Sequence, residues 1–207
     1  MIELKKEILN YGISNSDEEW KYLSTFVYKK TAKKRAVIFQ QTEPCKYVIF
    51  IVRGITASVY SYDGKEVITR FFQKGNFSSN IVSAEEKSIA SDSLIAITDI
   101  EYYLIPFVKF IELYLHSYTF GLFIWKKLIE NSIENKKITT IKTINETEIR
   151  YQFLEKHYPL LIKETPAIYL AKFLGITSEG FSRFLSNRFK YYPTSIFLKN
   201  LRRNFVF

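Results

Sequence analysis

One cysteine, Cys45, stands among 207 residues. This excludes a disulfide framework within the chain and leaves no cysteine cluster for zinc or an iron–sulfur centre. The two histidines, His116 and His157, are too few and too far apart to outline a metal site; surface or packing roles suit them better, so no metal and no cofactor is expected. The start, Met1-Ile-Glu-Leu-Lys-Lys-Glu, lacks the basic segment followed by an apolar one that a signal peptide needs. No uncharged apolar run approaches the ~18 residues of a membrane span. A soluble, cytoplasmic protein without membrane contact is the expectation. Catalytic signatures are missing too: there is no phosphate-cradling glycine loop, no nucleophile elbow and no His–carboxylate pairing at motif spacing. An enzyme is the weakest of the function classes.

What is present is aromatic and basic. Phenylalanine and tyrosine number 18 and 15, so many core positions are filled by rings. The formal charge is +9. It is concentrated at the end: residues 165–207 hold seven Lys/Arg against the single acid Glu179. Such a segment suits a phosphate-binding surface, because Lys/Arg contacts release condensed counterions. The plain alternative is a lysine-rich composition carried through to the end.

Residues 3–10 and 16–27 carry Trp20, Leu23 and Val27 at helical spacing and are read as short helices. From about 36 to 105 the character turns to short β-branched and aromatic runs: Val37–Phe39, Tyr47–Val52, Ala57–Tyr60, Val67–Phe72, Leu94–Thr98 and Glu101–Ile105. Glu43-Pro44, Arg53-Gly54, Asp63-Gly64 and Lys74-Gly75-Asn76 punctuate them. Asp-Gly between two such runs is a hairpin signal, since both residues tolerate positive φ. Six short strands at this spacing predict a small antiparallel barrel or jelly roll. After Pro106 a helical pattern runs from 107 to about 137, with Leu122, Trp125, Ile129 and Ile133 on one stripe. That stripe fits packing on the chain's own barrel or pairing with a twin helix equally well. Ile138–Ile144, rich in Thr and Ile, reads as a hinge, and helix resumes over 146–157 before Tyr158-Pro159.

The stretch 165–190 is the most informative. Thr165-Pro166 reads as an N-cap and a first helical position. The helix that follows carries Ile168, Leu170, Ala171 and Leu174 and stops at Gly175. Thr177 then caps a second helix running through Phe181, Phe184, Leu185 and Arg188. Two helices crossing steeply over a tight turn need a small residue where they approach, here Ala171, and a residue at ease at positive φ, here Gly175. Leu170, Leu174, Ile176, Phe181 and Phe184 are spaced to point inward together. Ser178, Glu179, Ser182, Arg183, Ser186 and Asn187 are left outward, polar residues able to reach base edges and phosphates. Gly180 is a poor helix former, and an ordinary αα-hairpin is the competing reading.

Taken together, these segments resemble the Crp/Fnr family of bacterial regulators in its short form. The likeness is carried in family order by Tyr47–Gly54, Asp63–Phe72, Lys74–Phe77, Ala96–Glu101, Arg150–Leu154 and, most specifically, Leu170–Arg183. It implies an α+β chain. A double-stranded β-helix (jelly-roll), cyclic-nucleotide-binding-like sensor domain with N-terminal helices would span 1–106. A long dimerisation helix and hinge would span 107–143, and a helix-turn-helix DNA-binding domain 144–207. The implied function is a homodimer on a palindromic double-stranded DNA operator, with RNA polymerase as a candidate partner. Its dimer helix would use Leu122, Trp125, Ile129 and Ile133. Its DNA-contacting set would be Thr177, Ser178, Glu179, Ser182, Arg183, Asn187, Arg188 and Lys190. Arg183 matches the base-reading arginine, and Arg188 and Lys190 take the phosphate contacts of a basic residue missing after Arg183. Only Tyr191–Phe207 remains for the family's winged hairpin.

The sensor half departs from the family. Cyclic-nucleotide binders carry Gly-Glu for the ribose and Arg-Ser/Thr-Ala for the cyclic phosphate; here Asn80 stands in place of the glutamate, and Lys87-Ser88 follows without an arginine. Lysine can meet a phosphate only as a point charge, without the bidentate fork. Cyclic AMP binding is therefore not expected. An effector pocket would draw on Phe72, Phe77, Asn80, Lys87 and Ser88, taking an unknown small molecule or none. The competing function is a non-enzymatic sensor or interaction protein whose DNA-binding unit has decayed.

Overall fold

The computed structural model describes residues 1–191. Two short helices open the chain, α1 (Ile2–Asn10) and α2 (Asp17–Ser24). Ser16 starts α2 through a capping box, its hydroxyl accepting from Glu19 N–H while the Glu19 carboxylate accepts from Ser16 N–H. Eight strands then build two antiparallel four-stranded sheets, the jelly roll expected from the strand spacing. One sheet orders β1 (Tyr28–Ala32), β8 (Ile100–Pro106), β3 (Tyr47–Arg53) and β6 (Phe77–Ser78). The other orders β2 (Val37–Phe39), β7 (Ser93–Ala96), β4 (Thr56–Tyr62) and β5 (Lys65–Phe72). Asp63 (φ 50°) and Gly64 (φ 71°) close the β4–β5 hairpin, with Tyr62 opposite Lys65; both positive angles match the twist that a two-residue turn needs.

Two strands and two helices exceed the expectation. β1, Tyr-Lys-Lys-Thr-Ala, is a solvent-facing edge strand held by pairing to β8, and β6 is only two residues long. Neither carries a buried run that patterning can detect. The short helix α3 (Ile81–Glu86) begins at Asn80, whose side chain accepts from Ser83 N–H, and α7 (Pro159–Glu164) begins with proline at its first position.

The single helix expected over 107–137 is two. α4 (Phe107–His116) ends at Ser117, and α5 (Tyr118–Lys142) starts there. Ser117 Oγ accepts from Phe120 N–H at 3.2 Å and donates to Glu19 at 2.5 Å, so a residue of α2 pins the break. The expected hinge over Ile138–Ile144 is instead largely the last turn of α5. Weak helix propensity there is overridden by tertiary contacts: Ile141 is buried, and the Lys142 ammonium donates to the carbonyls of Ile68 (2.8 Å) and Thr69 (3.0 Å) on β5. The chain turns at 143–146 and continues as α6 (Thr147–His157), α7, α8 (Ala167–Leu174) and α9 (Ser178–Tyr191). Pro166 occupies the N-cap of α8 rather than its first turn, one residue from expectation, and Thr165 closes α7.

Two large cores result. Leu4, Ile8 and Leu23 of the first helices join Phe50, Tyr103, Phe120 and Phe123 beneath the first sheet. The second core crosses from Ile55, Ala57, Val59, Ile68 and Phe71 of the barrel to Tyr151, Leu154, Leu161, Leu170, Phe173, Phe181 and Leu185 of α6–α9. The C-terminal helices therefore pack against their own barrel.

Candidate nucleic-acid interface and effector cavity

α8 and α9 are joined by Gly175, Ile176 and Thr177. Gly175 adopts φ 68°, ψ 32°, the left-handed geometry that stops a helix without a Cβ penalty. Ile176 N–H returns to the Ala171 carbonyl at 3.1 Å, and Ala171 is buried where the helices meet. Thr177 Oγ1 accepts from Gly180 N–H at 3.0 Å, capping α9, which runs through Gly180 unbroken. Inward, Leu170, Leu174, Phe181 and Leu185 are buried, with Ile176 and Phe184 half-buried against the same core. Outward, Ser178, Glu179, Arg183, Asn187 and Lys190 are exposed, and Ser182 is half-exposed.

Arg188 is not on that outward face. Its guanidinium donates to Glu148 at 3.0 Å and Glu155 at 2.7 Å, lies 4.8 Å from the Tyr151 ring centre, and leaves the side chain only 11% exposed. Burial works against its charge, but Glu155 and Glu148 outweigh it and hold the pKa above the usual arginine value. The sequence assigned Arg188 to phosphate; here it ties α9 to α6. A surface reading of α9 could not foresee this, because both carboxylates arrive from another helix.

Along α5, Phe120, Phe123 and Ile124 are buried against the barrel, and Leu122 is half-buried there. Trp125, Ile129 and Ile133 stand 54%, 43% and 51% exposed, with Leu128 beside them. The stripe expected to be uniform is split: its first member faces the chain's own core, and its other three face outward.

A cavity of about 790 Å³ lies between β5, α5 and the α6–α8 segment. Phe72 and Phe77 line it. Asn80, Lys87 and Ser88 are not among its lining residues. Asn80 is buried and donates to Ser91 and Asp92, the Ser88 carbonyl accepts from Ser83, and Lys87 is exposed at the left-handed end of α3 (φ 54°). The residues that dominate the cavity's other end escaped sequence reasoning. Arg70 of β5 donates to Asn135 of α5 at 2.5 Å and stacks 4.8 Å from the Phe72 ring centre. Glu134 accepts from the Tyr158 hydroxyl and from Lys137 at 3.0 Å. Burial, reinforced by Glu134, pushes the Tyr158 phenol well above its ordinary pKa. Burial also pulls the Lys142 amine down to about 8, with its Nζ 4.4 Å from the ring centre of Phe173 on α8. The one available signal was an arginine inside the otherwise uncharged run Val67–Phe72.

Comparison with known proteins places this geometry. Residues 29–117 match the cyclic nucleotide-binding domain family. FixK2 from Bradyrhizobium japonicum superposes with a TM-score of 0.67 at 18% identity, over 80% of this chain and 85% of that one. A protein assigned to the Crp/Fnr family of transcriptional regulators, from Eubacterium rectale, gives 0.62 at 15% identity, over 86% and 84%. The likeness is one of fold, shared with both proteins over most of the chain. The c-di-GMP-responsive global regulator CLP from Xanthomonas campestris also superposes, with a TM-score of 0.62 at 15% identity over 84% of this chain and 91% of that one. No curated protein matches the sequence significantly. Among the described residues, no helix is long and apolar enough to cross a membrane. The segment Tyr191–Phe207, where a Crp/Fnr wing would fall, lies outside the described residues beyond Tyr191 itself.

Proposed function

We propose that this chain is a DNA-binding transcription regulator of Crp/Fnr type. It acts as a homodimer on a palindromic operator, and its barrel takes an effector other than a cyclic nucleotide. The observation that carries the reading is the outward face of α9. Ser178, Glu179, Ser182, Arg183 and Asn187 project from a helix whose opposite side packs into the core through Phe181, Phe184 and Leu185, at a turn closed by Gly175. A helix presented in this way fits the major groove, with Arg183 opposite guanine O6 and N7 and Lys190 on phosphate. Arg188 has no place in that contact set, since its guanidinium is held against Glu148 and Glu155 and its side chain is only 11% exposed. The exposed Trp125, Ile129 and Ile133 supply the dimer surface, and two-fold symmetry makes each half-site equivalent. The reading assigns the chain no catalytic role.

Selection of genomic DNA fragments by the purified protein tests it. Enrichment of an inverted repeat is expected, with half-site centres one helical turn, about 34 Å, or a multiple of it apart. If no fragment is enriched over bulk DNA, the chain is a sensor without an operator. The withdrawal of Arg188 from the outward face is the observation that favours this second reading.

A further inference from the structure

The lysines around the cavity are paired with carboxylates. Lys127 is bound to Glu7 at 2.6 Å and lies 3.5 Å from Glu130, and Lys137 is bound to Glu134. Asp92 meets neutral donors, the Asn80 amide at 2.7 Å and the Ser91 hydroxyl at 3.4 Å. Among the cations of the cavity, Arg70 is different. Its one hydrogen bond is to a neutral amide, that of Asn135, and its Nε is shut off from solvent with no acceptor among the described residues. Glu134 attracts it electrostatically, but the carboxylate oxygens are held by Tyr158 and Lys137 rather than by the guanidinium. A half-buried guanidinium with incomplete hydrogen bonding carries a desolvation cost, and a carboxylate placed on it would offset more of that cost than a neutral acceptor does. The walls beside it are apolar: Phe71 and Phe72 from β5, Ile138 from α5, and Leu161 and Phe173 from α7 and α8.

We propose that this end of the cavity is a binding site for a small monocarboxylate with an aromatic or branched aliphatic body, its carboxylate on Arg70. The site is built on β5, away from the Asn80–Lys87 segment, and its occupant touches both the barrel and the helices that lead to α9. Such a ligand supplies the missing counter-charge and fills the space between Phe72 and Phe173. The inference gives the effector of the proposed function a chemical class, and it is testable without DNA.

The experiment is calorimetry on the full-length protein with two acids, benzoate and 4-methylpentanoate, and their neutral amides. At least one acid is expected to bind saturably, with its amide about tenfold weaker, since a charge-assisted hydrogen bond is lost. Arg70→Gln, which keeps a donor for Asn135, should weaken the acid by about tenfold and leave the amide unchanged; Arg70→Lys should fall between. The proposal is overturned if neither acid binds up to roughly 10 mM, if acid and amide bind alike, or if Arg70→Gln binds the acid as wild type does. Should Arg70→Gln fail to fold, the contrast between acid and amide in the wild-type protein decides alone. Acid binding by a protein that enriches no operator would keep the site and remove the regulator reading; operator binding without acid binding would do the reverse.

Discussion

Two helical faces of this molecule stand open to solvent, and they differ in kind. On α5 the open face is Trp125, Leu128, Ile129 and Ile133. On α9 it is Ser178, Glu179, Arg183, Asn187 and Lys190. Both helices bury their other side in a core of the same chain, so neither outward face is needed to fold the monomer. An exposed apolar stripe gains by removing itself from water against another apolar surface, at roughly 1.5–3 kcal/mol per large side chain fully buried. An exposed polar face gains nothing that way; it profits from a partner that offers acceptors and charge at fixed spacing, as a duplex does. Under the proposed function, the chemistry of what is left outside suits a protein partner on α5 and a nucleic acid on α9.

The most drastic way to break that contrast is to give α5 the polarity of α9. Ile129→Glu or Trp125→Glu would set a carboxylate against its own copy across the two-fold of the proposed dimer. We expect light scattering at micromolar concentration to show a dimer for the wild type and a monomer for either variant. Operator affinity should collapse with the dimer while the barrel stays folded. A monomeric wild-type protein would remove the partner assigned to α5 altogether.

The next test uses two arginines on opposite sides of α9. Arg183→Ala should cost about 1–3 kcal/mol of discrimination per half-site, leave nonspecific binding nearly untouched, and change folding stability by less than ~0.5 kcal/mol. Arg188→Ala should do the opposite. Removing it strands Glu148 and Glu155, which are partly solvated at 39% and 23% exposure. The loss should therefore be about 1–3 kcal/mol in urea unfolding, below that of a fully buried pair, with little change in the denaturant slope. If Arg188→Ala alters the salt dependence of DNA binding and leaves stability intact, the ion-pair assignment fails.

These two arginines also mark how far the sequence could be read. Local chemistry was legible: the Asp63-Gly64 hairpin, the Gly175 turn, and the inward Leu170, Leu174 and Phe181 all follow from short-range rules on φ, capping and periodicity. The edge strand β1 was not, because its stability comes from β8, some seventy residues away. The same holds for the site. Arg183 faces solvent as its position on the helix dictates, whereas Arg188 is claimed by carboxylates on α6, Leu122 by the barrel, and the helical turn at Ile138–Lys142 by β5 carbonyls. Asn80 and Lys87 were placed by likeness to a cassette whose other residues have changed. With the arginine gone from that segment, Lys87 has nothing to hold it inward and turns to solvent. Arg70 escaped notice because a single charged residue in a strand becomes meaningful only once the opposite wall is known.

The smallest effect sharpens the contrast most finely. Lys190 is exposed in the last turn of α9, beyond the residues assigned to base edges. A lysine on phosphate releases close to one condensed counterion, so Lys190→Ala should lower affinity for every sequence by a similar factor and reduce the slope of log K against log salt by about one. A conservative change on α5, Ile133→Val, should leave that slope alone, because shaving an apolar contact displaces no ions. Arg183→Ala should change which sequence is preferred more than it changes the slope. Measuring the three slopes on operator and on bulk DNA therefore separates base contact, phosphate contact and dimer contact within one titration series. A slope unmoved by Lys190→Ala would place the phosphate track elsewhere on the C-terminal helices, and a slope moved by Ile133→Val would mean that the apolar face of α5 is not reserved for protein.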